Sequence, residues 1–427
     1  MAKRKQRRAS AKTAAPTTAK GSSGPAKSSS APAKAKKSPA KKKATEKNPV
    51  KKKAKKKRGG ATTSSSPDSS APSPATLRRQ LDRLDREIID KINERARCVL
   101  DLTAGENSTI ARETSSSRNL QSIERAVSAS AGPLPETAVR AVVREVISGI
   151  KSLEKVVRVA FLGPAFSYSH LATIHRFGQS VDFLPLGTIG SVFEEVARGQ
   201  ADYGVVPVDN STDGRIADTL ENFTRCDVKI CGEVNLQIHH NLLGRCARSE
   251  VREVYSRPQA LSQCRRWLAT HVPSARTIEV TSTATAAQLA HDKKGAAAVA
   301  SVQAGTNYGL DVLAADIEDN PDNLTRFAVI GSTSGERTGN DKTSLMLQVA
   351  HHPGSLADAL TVLKRNRINM TWIESFPVIG ARGEYLFFIE LEGHADDLRM
   401  RRALKSLAGK TTRLETLGSY ARSEPVK

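Results

Sequence analysis

From Val156 onward the chain repeats one pattern, a short run of branched and aromatic residues followed by a longer stretch with apolar residues at helical spacing. The runs are VVRVAFLG, VDFLPL, YGVVPV, VKICGEV, REVYS, TIEVTS, AAAVAS and RFAVIGS, and most are separated by stretches such as PQALSQCRRWLATHV. Strands that alternate with helices build an α/β body with largely parallel sheets, expected here over about 157–335. Ligands of such sheets sit in loops at the carboxyl ends of strands, often between two lobes.

The segments on either side follow other rules. Upstream, Leu77, Leu81, Leu84, Ile88 and Ile92 fall at spacings of four and three, which predicts a long amphipathic helix with Thr76 as its N-cap. A second helical stretch is expected over about 118–130 and a third over GPLPETAVRAVVREVISGIKSLEK, so 76–155 reads as an all-helical domain of three helices. Downstream of the polar linker TSGERTGND, residues 343–423 read strand, helix, strand, strand, helix, strand, the ferredoxin-like βαββαβ order.

The formal charge of +22 suggests nucleic-acid binding until it is located. Residues 1–75 hold 22 Lys and Arg against Glu46 and Asp68, and the remainder holds 44 Lys and Arg against 42 Asp and Glu. The first 75 residues also lack any aromatic residue, so they cannot bury enough surface to offset ordering entropy and are expected to be a disordered basic tail. Blocks such as KSPAKKK resemble linker-histone tails. Such a tail either contacts nucleic acid or another polyanion or is a solvated extension.

The five cysteines form no Cys-x-x-Cys pair, and adjacent residues of a strand, as in His239-His240 and His351-His352, point to opposite faces, so no metal site is expected. No apolar run approaches the ~20 residues that span a bilayer. A cytoplasmic protein without a membrane partner is the expectation.

Five motifs in order carry a family resemblance. FLGPAFSYSHLA (161–172), YGVVPVDNSTDG (203–214), RPQALSQCRRWL (257–268), TSTATAA (281–287) and IEDNPDNLTRF (317–327) resemble successive motifs of the prephenate dehydratase catalytic domain. The departures are Phe166 and Ser167 in the first, Asp209 for Glu in the second and Arg257 for His in the third. The resemblance implies a two-lobed, periplasmic-binding-protein-like α/β fold, prephenate as substrate and no cofactor. It also implies that Thr325 hydrogen-bonds or protonates the leaving hydroxyl, and that Arg326 orients a carboxylate or braces the loop. Asp209, Asn210, Ser211, Ser282 and Thr283 would complete a polar cradle around the dianion. Each of these residues could instead serve as a cap or turn residue, with the functional reading ahead for Thr325.

The C-terminal module resembles an ACT regulatory domain through HPGSLADAL (352–360) and NMTWIESFP (369–377). The resemblance implies phenylalanine as feedback effector, held by Gly354, Ser355, Leu356, Glu374 and Ser375, in a homodimer or homotetramer. Ser355 stands for Ala and Phe376 for Arg, and a purely architectural dimerisation module is the other reading. Residues 76–155 resemble a chorismate mutase domain, with Arg78, Arg95 and Arg118 at positions that would grip the chorismate dianion. There the pattern erodes: Glu106 replaces a lysine, Asn119 an acidic residue, Ser115 an aspartate and Glu154 a glutamine. Either a mutase with a rearranged site or a relic kept for dimerisation would result, and the charge reversal favours weak or absent activity. The α/β grammar alone also allows a two-lobed solute-binding module coupled to an amino-acid sensor.

Overall fold

The structure, a computed structural model, describes residues 73–105, 115–378 and 384–426. Most of the basic tail and Glu106 lie outside the described residues, as does the side chain of Arg118. Helices α1 (Pro74–Gly105), α2 (Ser115–Ala129) and α3 (Glu136–Glu154) form the N-terminal region. The cap of α1 is Ser73 rather than Thr76: its hydroxyl accepts from Thr76 N at 3.3 Å, and Pro74 occupies the first turn, where no N–H is missed. Helix α3 buries Ile147 and Ile150, and Arg140 on it pairs with Glu124 of α2. The apolar stripe of α1 is open to solvent, with Leu81 at 59 % exposure and Ile88 at 55 %.

The first lobe is a mixed sheet built from β1 (Arg158–Leu162), β2 (Asp182–Leu186), β3 (Tyr203–Asn210), β5 (Lys229–Gln237) and β11 (Leu324–Gly331), with the short β4 (Gly214–Arg215) on β3. Its helices are α4 (Tyr168–Phe177), α5 (Ile189–Ala197) and α6 (Ala217–Arg225). The second lobe inserts between β5 and β11. Its sheet is ordered β10 (Asp311–Ala314), β6 (Asn241–Gly244), β9 (Ala296–Ala300), β7 (Glu253–Ser256) and β8 (Arg276–Glu279). Here α7 (Pro258–Gln263), α8 (Arg265–His271), α9 (Thr283–Asp292) and α10 (Val302–Asn307) cover it. Central β9 is buried along its whole length, which is why five small apolar residues in a row make a strand there.

The sheets are mixed rather than largely parallel. Strands β1, β2 and β3 pair in parallel, whereas β11 runs antiparallel to both β3 and β5. The insertion explains this: the chain leaves the first lobe at the end of β5 and returns at the start of β11, so the two crossings place these strands side by side in opposite directions. Strands β4, β6 and β10, of two to four residues each, are too short to carry a periodic signal.

The C-terminal module is β12 (Asp341–Gln348), α11 (Ser355–Arg365), β13 (Met370–Pro377), β14 (Tyr385–Glu392), α12 (Leu398–Ala408) and β15 (Arg413–Ala421), with antiparallel order β13-β14-β12-β15. One face of this sheet packs on its own helices through Leu345, Leu347 and Leu363. The other face contributes Met346, Phe388 and Tyr420 to a core shared with α5 and β3 of the first lobe. The approach is close enough that a Cβ on Gly418 would lie 2.1 Å from the Ile230 carbonyl oxygen, so only glycine fits. The last strand among the described residues, β16 (Pro425–Val426), pairs in parallel with β5.

Candidate active site

The segment IEDNPDNLTRF forms the second crossing between the lobes, and its polar residues each have a partner. Glu318 accepts from His240 N at 2.8 Å and bonds His239 Nδ1 at 2.8 Å. Asp319 accepts from Arg266 N and Trp267 N at the start of α8, where a carboxylate meets free N–H groups. The Asp322 carbonyl accepts from the Ser211 hydroxyl, and Leu324 N donates back to that oxygen at 2.9 Å. Ser211 thereby ties the crossing to the end of β3.

At the start of β11 the register pairs Thr325 with Asn210 and Arg326 with Asp209. Neighbouring strand residues face opposite sides, so the two cross-strand pairs do two different things. On one side Asn210 Nδ2 donates to Thr325 Oγ1 at 2.7 Å and to Asn323 Oδ1 at 2.9 Å. Its Oδ1 accepts from the backbone N–H groups of Thr212 and Asp213, which fixes the amide. Asn323, 1 % exposed, donates to Gln263 Oε1 at 3.0 Å, and Gln263 Nε2 donates to Asp213 Oδ2 at 3.1 Å. Gln263, at the end of α7, therefore carries the second lobe onto the Thr325 site. Because Thr325 Oγ1 accepts from Asn210, its own proton is directed to another acceptor, and the accepted bond strengthens that donation.

On the other side the Arg326 guanidinium is 11 % exposed and turned to the C-terminal sheet. It donates to Asp209 Oδ2 at 3.0 Å, pairs with Glu390 of β14 and lies 5.0 Å over the Trp372 ring. Burial would lower its pKa, but the Glu390 and Asp209 carboxylates outweigh it and hold the guanidinium charged. Lys342 of β12 completes the group, 3.0 Å from Glu233 and 3.7 Å from Glu390. Arg326 and Asp209 thus pair on the side of β11 turned to the C-terminal sheet, and Thr325 and Asn210 pair on the other.

Ser282 and Thr283 lie at the N-terminus of α9 in the second lobe, both buried, with the Ser282 hydroxyl accepting from Thr285 N at 2.9 Å. Phe166 extends from the first lobe and meets Tyr308 of the second edge-on, with ring centroids 6.4 Å apart. Sequence reasoning missed Gln263, Asn323 and His240. Gln263 and Asn323 lie inside the quoted motifs, and only their spatial meeting distinguishes them from ordinary helix and turn residues. Among the described residues, His239, Asp316 and Glu318 place one ligand atom each within 4.8 Å of one another, but the His239 Nδ1 and both Glu318 oxygens are already engaged in the hydrogen bonds above.

Gly354, in the left-handed conformation at φ +86°, opens α11, and with Ser355, Leu356 and Tyr385 it lines a hollow of about 190 Å³. Glu374 and Ser375 are elsewhere: Arg215 Nη1 donates to Glu374 Oε2 at 2.8 Å and to the Ser375 carbonyl at 3.1 Å. Phe376 packs into the core shared with the first lobe, meeting Phe388 edge-on. In the helical region Arg78 and Arg95 stand on one continuous helix, 17 positions apart. At ~1.5 Å per residue they are ~26 Å apart along its axis, too far to grip one small dianion.

The chain is thus a two-lobed α/β domain with a polar site where its lobes meet, preceded by a helical region and packed against a ferredoxin-like module. Family profiles match accordingly: prephenate dehydratase over residues 159–335, chorismate mutase type II over 77–155 and ACT domain over 343–409. A bifunctional chorismate mutase/prephenate dehydratase from Aquifex aeolicus is 41 % identical over 354 residues, spanning 81 % of this chain and 97 % of that protein. The chain belongs to the bifunctional chorismate mutase/prephenate dehydratase family. Among solved structures, a prephenate dehydratase from Arthrobacter aurescens in complex with L-Phe is 32 % identical, with a TM-score of 0.59, covering 62 % of this chain and 90 % of that one. A structure described as a novel type of quorum-quenching acylase has a TM-score of 0.57 at 29 % identity, covering 62 % and 98 %. The architecture thus accompanies more than one described activity, and function must be argued from the site. The match over residues 77–155 shows a chorismate mutase domain there and backs the bifunctional reading better than a dehydratase alone.

Proposed function

We propose that the chain converts chorismate to prephenate in its helical domain and prephenate to phenylpyruvate between the lobes, under feedback control by phenylalanine at the C-terminal module. The observation that carries the dehydratase step is the Asn210–Thr325 pair, held by Asn323 and Gln263, with the Thr325 proton free to be donated. In the reaction the bond from the ring to its carboxylate breaks, its electron pair forms a ring double bond, and the ring C–O bond breaks. Carbon dioxide leaves, the departing hydroxide takes the Thr325 proton and leaves as water, and solvent restores that proton. One proton is consumed overall. A threonine hydroxyl is a weak acid, so positioning and a proton shared in the transition state supply the rate. Ser282 and Thr283 are proposed to hold the carboxylates, with Ser211 tying β3 to the second crossing and Arg326 and Asp209 bracing β3 and β11 from behind.

The test is phenylpyruvate formation from prephenate at neutral pH. Thr325→Ala is expected to lose about 10²-fold or more in kcat, with partial retention in Thr325→Ser. A wild-type rate no faster than the spontaneous one refutes the reading. For the mutase, the ~26 Å between Arg78 and Arg95 and the exposed stripe of α1 support a homodimer, in which one copy's Arg78 joins its partner's arginines at each site. Unchanged chorismate consumption in Arg78→Ala and Arg95→Ala refutes the mutase assignment. The separation of Gly354, Ser355 and Leu356 from Glu374 and Ser375 likewise supports an effector site completed by a second copy. Phenylalanine binding that persists in a monomeric chain opposes it.

A further inference from the structure

His240 is the last residue of the first crossing, 2 % exposed, and the mechanism above does not use it. Its imidazole is held on both sides. Nε2 lies 2.8 Å from Gln263 Oε1, and Nδ1 lies 3.0 Å from the hydroxyl of Tyr168, whose oxygen is also 2.7 Å from the His239 carbonyl oxygen. Its backbone N–H is fixed by Glu318. The Gln263 carboxamide has only one workable orientation: the Asp213 carboxylate can only accept, so Nε2 faces Asp213 and Oε1 faces His240 and Asn323. Oε1 in turn can only accept, so His240 Nε2 carries the proton. Five side chains from two lobes and both crossings then form one chain of hydrogen bonds, from His240 through Gln263, Asn323 and Asn210 to Thr325.

We propose that His240 is a positioning residue for the dehydration: its Nε2–H holds the Gln263 carboxamide in the one orientation that lets Asn323 and Asn210 aim Thr325. It acts through Gln263 and carries no proton in the reaction. The titratable groups facing it are Tyr168 from α4, Glu318 from the second crossing, the adjacent His239, and Asp213 beyond Gln263. The single proton of the Tyr168 hydroxyl turns either to Nδ1 of the neutral ring or to the His239 carbonyl, in which case the hydroxyl accepts from Nδ1–H of the charged ring, so Nε2–H persists in either charge state.

The inference rests on the dehydratase reading and is tested in the full chain with prephenate. His240→Leu removes the donor and is expected to lower kcat about tenfold, the worth of one well-made hydrogen bond, with KM changed less than about threefold. His240→Gln reaches the Nε2 position with an amide N–H and is expected to restore kcat to within about threefold of wild type. His240→Asn, polar but one methylene shorter, is expected to behave as His240→Leu and serves in its place if the leucine variant does not fold. The pH profiles of wild type and His240→Gln should superimpose. A wild type that forms no phenylpyruvate overturns both this inference and the reading beneath it. With an active wild type, full activity in His240→Leu or His240→Asn overturns this inference alone. So does a folded His240→Gln no better than those two, or loss of one limb of its pH profile.

Discussion

The brace behind β11 makes the most quantitative prediction. Arg326 and Glu390 are 11 % and 6 % exposed, and their pairing joins the catalytic sheet to β14 of the C-terminal sheet. Removing one member of a buried pair typically costs about 3–5 kcal/mol, because the other is left charged in a poor solvent. The neighbours here adjust that range. Without Arg326, Glu390 keeps Lys342 at 3.7 Å and the Tyr420 hydroxyl at 3.3 Å, so Arg326→Met should cost about 3 kcal/mol, the low end. Without the Glu390 charge, Arg326 keeps Asp209 at 3.0 Å and the Trp372 ring, so Glu390→Gln should cost about 1.5–2 kcal/mol. Replacing both residues by methionine removes both desolvation penalties, and the double variant should be more stable than the sum of Arg326→Met and Glu390→Met by about 2–3 kcal/mol. Urea unfolding followed by fluorescence reads this directly, since Trp372 sits on the guanidinium; a Trp267→Phe background silences the other tryptophan. Additivity to within about 0.5 kcal/mol refutes the brace. The same variants separate the two faces of β11: Arg326→Met should lower dehydratase kcat far less than Thr325→Ala does.

Other parts of the molecule give further expectations. Arg215→Ala cuts the link from β4 to Glu374 and Ser375, so it should leave uninhibited turnover within about twofold while raising the half-inhibiting phenylalanine concentration about fivefold or more; unaltered inhibition counts against that link. Burial, aided by the Arg176 charge, lowers the Lys151 pKa from the usual 10.5 to about 8. Between those values the unfolded chain binds a proton that the folded chain has released, so stability should rise with pH across that window, with the full penalty present below it. Lys151→Met should flatten that rise in urea midpoints measured between about pH 8 and about pH 10, and a slope unchanged in the variant argues against it. Burial pushes the Cys231 thiol up to about 11, whereas Cys98 is exposed. Alkylation of the native chain near pH ~8 should therefore label Cys98 and spare Cys231 until the protein unfolds.

The sequence by itself determined the order of the modules, because that order rests on local periodicity: apolar residues at helical spacing before Val156, alternating strands and helices after it, and a ferredoxin-like rhythm at the end. It also singled out Thr325, through a motif that ends at the start of a strand. Short β6 and β10 escaped it, since four residues carry too little pattern to stand apart from loop. What only the tertiary structure decided is which residues meet. Thr325 and Arg326 are adjacent in the chain yet serve opposite faces of β11, and no one-dimensional pattern says which face meets the second lobe and which meets the C-terminal sheet. Asn210 reaches Thr325 across 115 positions, and His240 reaches Asn323 through Gln263, because an entire lobe is inserted between β5 and β11. The alternation of a strand is local chemistry; the environment of each face is set by what folds against it.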